Sequence, residues 1–307
     1  MTETVRHEPV MVEPVVRFLL TDPEGIYVDA TLGLGGHAMS LLETSPALRL
    51  VGIDRDRAAL DEARRRLSKF GGRVSFIHGN FSDIASHLGG RPCSGVLADL
   101  GLSSFQISDR SRGFSYMEDG PLDMSMGSGA RPVAKLLAEA PASEIAGILR
   151  DYGEEKKSGA IAALIVKARE NGALTTTSEL RSIVGRTVPA RFLIGSLSRV
   201  FQALRIWAND ELENLRAFLP QAAALLTPGG RLAVLSYHSL EDRMVKNYFR
   251  QEEKGCICPP DFPECGCGRV STLKVLTRRP VLAGPEEVDN NPRARSARLR
   301  VAERLQR

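Results

Sequence analysis

Four short β-rich runs alternate with helical patterns across the first hundred residues of this 307-residue chain. They are Ile26-Tyr-Val-Asp-Ala-Thr31, Leu48-Arg-Leu-Val-Gly-Ile53, Arg73-Val-Ser-Phe-Ile77 and Gly95-Val-Leu-Ala-Asp-Leu100. Between the second and third, Arg55 to Lys69 places Ala59, Leu60, Ala63 and Leu67 on one side of a helix. Strands separated by helices at this spacing imply βαβ units around a parallel sheet, and hence an α/β fold.

The alternation stops after Leu100. A stretch rich in Gly, Ser and Asp runs to about Ala130, too long for an ordinary strand-to-helix loop. Helical patterns follow at Val133–Ala138, Ala142–Tyr152, Lys156–Asn171, Thr177–Val188 and Ile194–Ile206, with no strand signal among them. The α/β pattern then resumes with a helix over Asp210–Leu226, the breaker Thr227-Pro-Gly-Gly230, a strand over Arg231–Ser236 and a helix over Leu240–Glu253. Thr272–Thr277 and Ala297–Val301 read as a closing pair of strands. The predicted architecture is a Rossmann-like, doubly wound sheet formed by residues 1–108 and 208–307, with an all-helical domain, 109–207, inserted between its fourth and fifth strands.

Hydrophobic residues are 43% and charged residues 25% of the chain, which excludes a disordered or fibrous protein. No apolar run approaches the ~18 residues of a membrane span, and Met1–Arg6 carries an acid and no apolar leader. A cytoplasmic protein is expected. The net charge of +4 is small, but its distribution is uneven. Residues 269–307 hold ten Lys/Arg and four Asp/Glu, and residues 178–207 hold five Arg and one acid, Glu179. Two basic segments on a near-neutral body suggest a polyanion footprint; solvated helix faces and a tail fit equally well.

The first strand ends in Asp29-Ala-Thr-Leu-Gly33-Leu-Gly35-Gly36-His37-Ala38, which opens a helix. Glycines there let a ligand approach the backbone, with helix N-terminal N–H groups pointing at it. Asp54 follows the second strand, where a carboxylate can accept hydrogen bonds from ribose hydroxyls. Together they read as a site for a nucleoside-containing cofactor. Gly33-x-Gly35-x-x-Ala38 also fits a dinucleotide fingerprint loosely, so a nicotinamide-dependent oxidoreductase is the rival reading. Two features favour S-adenosylmethionine. Asp29, four residues before the first glycine, suits a cationic ammonium better than a pyrophosphate, and the closing strand pair matches the hairpin of methyltransferases that use this cofactor. A glycine turn that only packs helix on sheet is the plain alternative.

Asp99 ends the fourth strand. Ligands in open α/β sheets bind outside the carboxyl ends of strands, so Asp29, Asp54 and Asp99 should line one crevice. The loop after Asp99 and several later segments carry a resemblance. Asp99-Leu-Gly-Leu-Ser-Ser-Phe-Gln106, Arg112-Gly-Phe-Ser-Tyr116, Asp119-Gly-Pro-Leu-Asp-Met124, Phe201-Gln-Ala-Leu-Arg-Ile206, Tyr237-His-Ser-Leu-Glu-Asp-Arg243 and Asn291-Pro-Arg-Ala-Arg-Ser296 closely resemble the bacterial 16S ribosomal RNA cytosine-N4 methyltransferases. His7-Glu-Pro-Val10 resembles their N-terminal motif, and the resemblance spans nearly the whole chain.

This resemblance implies an S-adenosylmethionine-dependent enzyme acting on one cytosine in the decoding region of the small ribosomal subunit. It places cofactor contacts on Gly35, Gly36, His37, Asp54, Phe81, Asp99 and Gln106. The chain departs from the expected pattern at Phe105, at Ser125 and Gly127, and at Leu197-Ser198, all on the substrate side. A homodimer is compatible with the sequence. A ribosome-binding assembly factor without catalysis is a third class of reading.

An exocyclic cytosine amine is a weak nucleophile because its lone pair is delocalised into the ring. A catalyst must align it with the sulfonium methyl and accept a hydrogen bond from its N–H; such positioning is worth roughly 7–11 kcal/mol. The candidate acceptors are Asp99, the hydroxyls of Ser103 and Ser104, and loop carbonyls, and we single out Asp99 and Ser103 as catalytic candidates. Methylation at carbon-5 would instead need a covalent nucleophile, normally a thiolate. Cys93 precedes the fourth strand, at the wrong end of the sheet.

The target base must leave its stack, and Phe105, Phe114 and Tyr116 are candidates to hold it or, equally, to seal the insertion. Arg199, Arg205, Arg293, Arg295, Arg298 and Arg300 are candidates for RNA phosphates. His238 either orients substrate or is a buried histidine with a local partner. Cys256-x-Cys258-x6-Cys265-x-Cys267 resembles a four-thiolate structural zinc knot, with tighter spacing than usual; reduced thiols in a loop are the alternative.

Overall fold

The computed structural model describes residues 9–102, 106–107, 109–127, 129–170, 172, 174–258, 264 and 266–306. The chain forms two compact units, Met1–Gly101 with Asn214–Arg307, and Leu102–Glu213.

The first unit begins with α1 (Val12–Leu19), β1 (Ile26–Asp29), α2 (Gly36–Thr44), β2 (Arg49–Asp54), α3 (Arg57–Arg66), β3 (Val74–His78), α4 (Ile84–Leu88) and β4 (Cys93–Asp99). Asp56 caps α3, its carboxylate accepting from the N–H groups of Ala58 and Ala59, and Arg64, Arg65 and Arg66 occupy the last turn, where the helix dipole favours cations. Sequence periodicity does not reveal α1. Its β-branched valines and Pro14 argue against a helix, but Pro14 falls in the first turn, where a missing N–H costs nothing.

The second unit is helical: α5 (Val133–Glu139), α6 (Ala142–Asp151), α7 (Ser158–Arg169), α8 (Thr177–Gly185) and α9 (Ala190–Asn209). Thr176 and Glu179 close a reciprocal capping box on α8. In α9 the buried residues Leu197, Val200, Phe201, Leu204 and Ala208 recur at helical spacing and share one core with Phe114, Met124, Leu137, Ile145, Ile161 and Leu180. The helix is longer than its apolar stripe suggests, because Pro189 starts it and Asp210, in a left-handed conformation, ends it.

The chain returns to the first unit through α10 (Glu211–Leu225), then β5 (Leu226–Ser236), α11 (Ser239–Lys254), β6 (Leu273–Val275), β7 (Val281–Leu282), α12 (Pro285–Asn290) and β8 (Arg298–Arg304). The sheet order is β3-β2-β1-β4-β5-β8-β6, with β7 on β8. The first five strands pair in parallel, and β8 pairs antiparallel to its neighbours.

Both faces are covered, so inner strands bury alternate residues in two cores. Val28, Val96, Ala98, Leu232 and Val234 pack with α4, α10 and α11. Tyr27, Leu50, Leu97, Ala233 and Leu235 pack with α1, α2 and α3. Thr227-Pro-Gly-Gly230 follows the end of α10 as expected, but it does not separate the helix from the strand. It lies inside β5, where the register with β4 shifts between Cys93 and Gly95 and a bulge absorbs Pro228.

The expected closing hairpin is not a simple one. The two strands are antiparallel neighbours, but β7 and α12 separate them in sequence, and β8 is inserted between β5 and β6. Burial explains the order. Leu299 and Val301 face one core and Ala302 the other, which suits an inner strand, while three-residue β6 carries exposed Lys274 and suits an edge. Among the described residues no helix is long and apolar enough to cross a membrane.

Phe249, on α11, is 1% exposed in the core beneath the β5–β8 side of the sheet. Phe249→Ala is expected to cost about 3–5 kcal/mol, measured as a lowered urea midpoint.

Candidate active site

β1 lies between β2 and β4, with Asp29 beside Gly52 and Leu97 in the register. Asp29, Asp54 and Asp99 therefore end three adjacent parallel strands at one rim. Asp29 is 2% exposed and its Oδ1 accepts only a long bond, 3.3 Å, from Thr31 N–H. Burial pushes its pKa up to about 7 against the opposing pull of His37 and the Thr31 N–H, and the Asp99 and Asp54 charges push the same way as burial. Burial also raises Asp54, although its carboxylate accepts from Gly33 N–H at 2.7 Å and Asp56 N–H at 2.8 Å. Thr31 Oγ1 accepts from Asp99 N–H at 2.6 Å, which ties the glycine loop to the end of β4.

The glycines divide their work. Gly33 has φ +52° and only one heavy atom, a carbonyl oxygen at 4.0 Å, near where a side chain would start, so the loop is open there. A Cβ on Gly35 would meet Leu67 at 2.9 Å, and one on Gly36 would meet Pro9 at 2.8 Å. Packing of α2 against its neighbours therefore already requires glycine at both positions.

His37, in the first turn of α2, is 5% exposed. Its Nε2 lies 3.5 Å from Asp99 Oδ2, beyond good hydrogen-bond range, and neither ring nitrogen has a hydrogen-bond partner among the described residues. Burial pushes its pKa down, but the carboxylates of Asp99, Asp29 and Glu287 outweigh burial and raise it. On the other side of Asp99, Oδ1 accepts from the Tyr237 hydroxyl at 2.7 Å. Burial first, then the Asp99 charge, holds the Tyr237 pKa well above its usual value, so the phenol remains a donor. Tyr237 immediately follows β5. Nothing in its sequence context marks it beyond the motif it belongs to.

The rim gathers three carboxylates, with His37 beside Asp99 and acting on Asp29, and burial opposes the ionisation of Asp29 and Asp54. Such a site is complementary to a cation. The sulfonium and ammonium of S-adenosylmethionine fit this donor set and the opening at Gly33. A pyrophosphate would meet like charge.

The remaining candidates fall elsewhere. Phe81 follows β3 and stacks edge-on against Phe218, with ring centroids 5.1 Å apart. Gln106 belongs to the second unit and is 7% exposed. Ser103, Ser104, Phe105, Cys265 and the His7-Glu8 pair lie outside the described residues. Phe114 is buried in the core of the second unit, and Tyr116 meets Phe201 edge-on at 5.5 Å.

Three of the arginines proposed for phosphates are already engaged. Arg199 pairs with buried Glu155 at 2.7 Å, Arg205 holds Glu211 with two bonds of 2.9 and 3.0 Å, and Arg300, 5% exposed, holds Asp242 likewise at 2.6 and 3.1 Å. The sequence shows the charges but not their partners, which come from other helices and strands or from the next turn. His238 caps α11. Its Nδ1 accepts from Glu241 N–H at 3.4 Å, and Glu241 returns bonds to the Tyr237 and His238 N–H groups. Cys93 is buried at the start of β4, its thiol pushed up to about 12 by burial. The Sγ atoms of Cys256, Cys258 and Cys267 lie within 4.8 Å of one another.

The strand order, reversed last pair and acidic rim define a Rossmann-like class I methyltransferase. Comparison with known sequences narrows this: the profile of the MraW methylase family matches residues 4–305, and the chain belongs to that family. It is 46% identical over 309 residues to the ribosomal RNA small subunit methyltransferase H of Heliobacterium modesticaldum, covering 97% of this chain and 98% of that one. It is 47% identical over 310 residues to the protein of the same name from Geobacter sulfurreducens, covering 98% and 100%.

An acid whose pKa rises on folding lowers stability wherever the unfolded chain ionises it first. The ligand-free protein should therefore lose stability through Asp29 as pH climbs from 3.8 towards about 7, and lose none through it below 3.8. Asp29→Asn is expected to stabilise the ligand-free protein, by about 2–3 kcal/mol more at pH 8 than at pH 5. Urea unfolding at the two pH values checks this.

Proposed function

We propose that this chain transfers the methyl group of S-adenosylmethionine to the exocyclic N4 of one cytosine in 16S ribosomal RNA, working in the cytoplasm on the small ribosomal subunit. The carboxylate rim is the observation that carries the reading, and the relatives' names supply the substrate. When bound, the cofactor supplies an electrophilic methyl on a cationic sulfur.

The residues take separate tasks. Asp54 holds the ribose, with Gly35, Gly36, His37, Phe81, Asp99 and Gln106 completing the cofactor contacts beside the open turn at Gly33. Buried Asp29 balances the donor's positive charge. Asp99 is more open than Asp29, its side chain 25% exposed. It accepts a hydrogen bond from the amine N–H, which frees lone-pair density at nitrogen, and Tyr237 holds the receiving carboxylate in place. Ser103 is a second candidate acceptor. The amine nitrogen gains the methyl and releases a proton to the acceptor or to water. The helical insertion, 109–207 by sequence, is the substrate-recognition domain.

Asp99→Asn removes the charge without changing the shape. It is expected to lower kcat about 10²-fold or more while cofactor affinity changes only a few-fold. The direct test incubates small subunits with labelled cofactor and maps the product by mass spectrometry. One N4-methylcytosine in 16S RNA supports the reading; label on carbon-5, or none, overturns it.

A structural zinc ion at Cys256, Cys258, Cys265 and Cys267 completes the proposal. Zinc–sulfur bonds of about 2.3 Å put tetrahedral thiolates ~3.8 Å apart. Cys256 and Cys267 Sγ are separated by 3.8 Å, too far for a disulfide. The cluster follows α11, and its neck is closed by Thr272 N–H donating to Glu252 O at 3.0 Å. Metal analysis of the purified protein should find one zinc per chain, and Cys258→Ser should lose it; metal-free wild-type protein sinks this part.

A further inference from the structure

Away from the carboxylate rim, a cavity of about 100 Å³ opens between α11 and the β6–β8 edge of the sheet. Lys246, Arg250, Arg278 and Arg300 line it, with Phe249 at its floor and Glu253 as its only acid. Glu253 is partly spent, because its Oε1 accepts from Val275 N–H at 3.0 Å and so braces the edge strand. Arg300 is also spent: it grips Asp242, which Arg298 approaches at 3.8 Å as well. That leaves Lys246, Arg250 and Arg278, for which no carboxylate lies within ion-pair distance among the described residues. Lys246 and Arg250 stand one turn apart on α11, an arrangement of like charges that disfavours a helix. The geometry keeps an unfavourable pair facing a third cation across a hole of small-anion size.

We propose that this groove grips the phosphodiester backbone of the RNA substrate. It would take a segment flanking the target nucleotide, since β6 stands three strands from β4, roughly 15 Å at the spacing of neighbouring strands. Exposed Lys274 and Arg279, on either side of the groove-lining segment in sequence, extend the positive character beyond the hole. A small-anion site would not need them. The proposal rests on the reading of this chain as an RNA methyltransferase, and it explains the basic C-terminal segment in a way that the engaged Arg199, Arg205 and Arg300 cannot.

The experiment compares wild type with the triple variant Lys246→Gln, Arg250→Gln, Arg278→Gln. A second triple, Arg49→Gln, Arg57→Gln, Arg91→Gln, removes the same charge from exposed positions elsewhere in the same unit. Binding to a 16S ribosomal RNA transcript is measured across a salt series, alongside cofactor affinity and steady-state methylation of small subunits.

The groove triple should bind RNA at least tenfold more weakly near 0.1 M salt. Its slope of log affinity against log salt should shrink by about two, given roughly 0.7–0.9 per lost phosphate contact. KM for RNA should rise while cofactor affinity and kcat stay as in wild type. Unchanged RNA affinity and slope overturn the proposal, as does an equal loss in the second triple, which would make the effect one of net charge. Inorganic phosphate binding as tightly as the transcript would assign the hole to a small anion and also overturn it. A wild type that binds and methylates RNA while the groove triple matches it refutes the groove alone. A wild type that methylates no RNA refutes the parent reading.

Discussion

Like charges forced together at the end of a parallel sheet govern this molecule. Parallel strands deliver their carboxyl ends to one rim, and three of the central strands deliver an aspartate each. Water is largely excluded from Asp29, so its charge is opposed by burial and by its neighbours at once. What keeps the arrangement folded is a set of backbone donors: Thr31 for Asp29, and Gly33 and Asp56 for Asp54. They compensate these charges incompletely; His37 acts on Asp99 and Asp29, and the Arg55 guanidinium acts on Asp54. A positively charged group placed at the rim would offset what burial costs Asp29 and Asp54.

The same loop shows why a glycine pattern alone underdetermines function. Gly35 and Gly36 are required because Leu67 and Pro9 occupy the space of their missing side chains. That is a packing demand, and any helix seated on any sheet can make it. Gly33 differs, since its left-handed backbone faces open space and its N–H reaches Asp54.

Much of this was legible in sequence because it follows from local periodicity. Strands buried on both faces read as continuous apolar runs, and the acids that end them fall at spacings set by the βαβ repeat. The helices between Val133 and Asn209 were equally plain from 3.6-residue patterns. What stayed hidden depends on long-range partners. The Tyr237–Asp99 bond joins residues far apart in the chain, and Arg300 looked available until Asp242 met it from α11. The place of β8 inside the sheet was hidden for a related reason: adjacency in sequence suggested a hairpin, whereas the two-faced burial of Leu299, Val301 and Ala302 decided otherwise. Pro228 misled in the opposite direction, since a bulge let β5 run through a segment whose composition reads as a stop.

β4 separates two chemistries by its length. Its first residue, Cys93, offers the thiol that carbon-5 methylation of a pyrimidine would call upon, but burial holds that thiol protonated at any ordinary pH and the strand keeps it at the far edge of the sheet. Its last residue, Asp99, is partly open, anchored on one oxygen by a phenol that stays protonated, and part of the acidic rim. A nucleophile cannot be moved along a strand without shifting every neighbour in the register, because a slip of one residue turns each side chain to the opposite face. The same register that brings the three aspartates together therefore excludes the thiol from the rim, and the acceptor such a rim serves is an amine that needs a hydrogen-bond acceptor, not a ring carbon that needs a covalent handle.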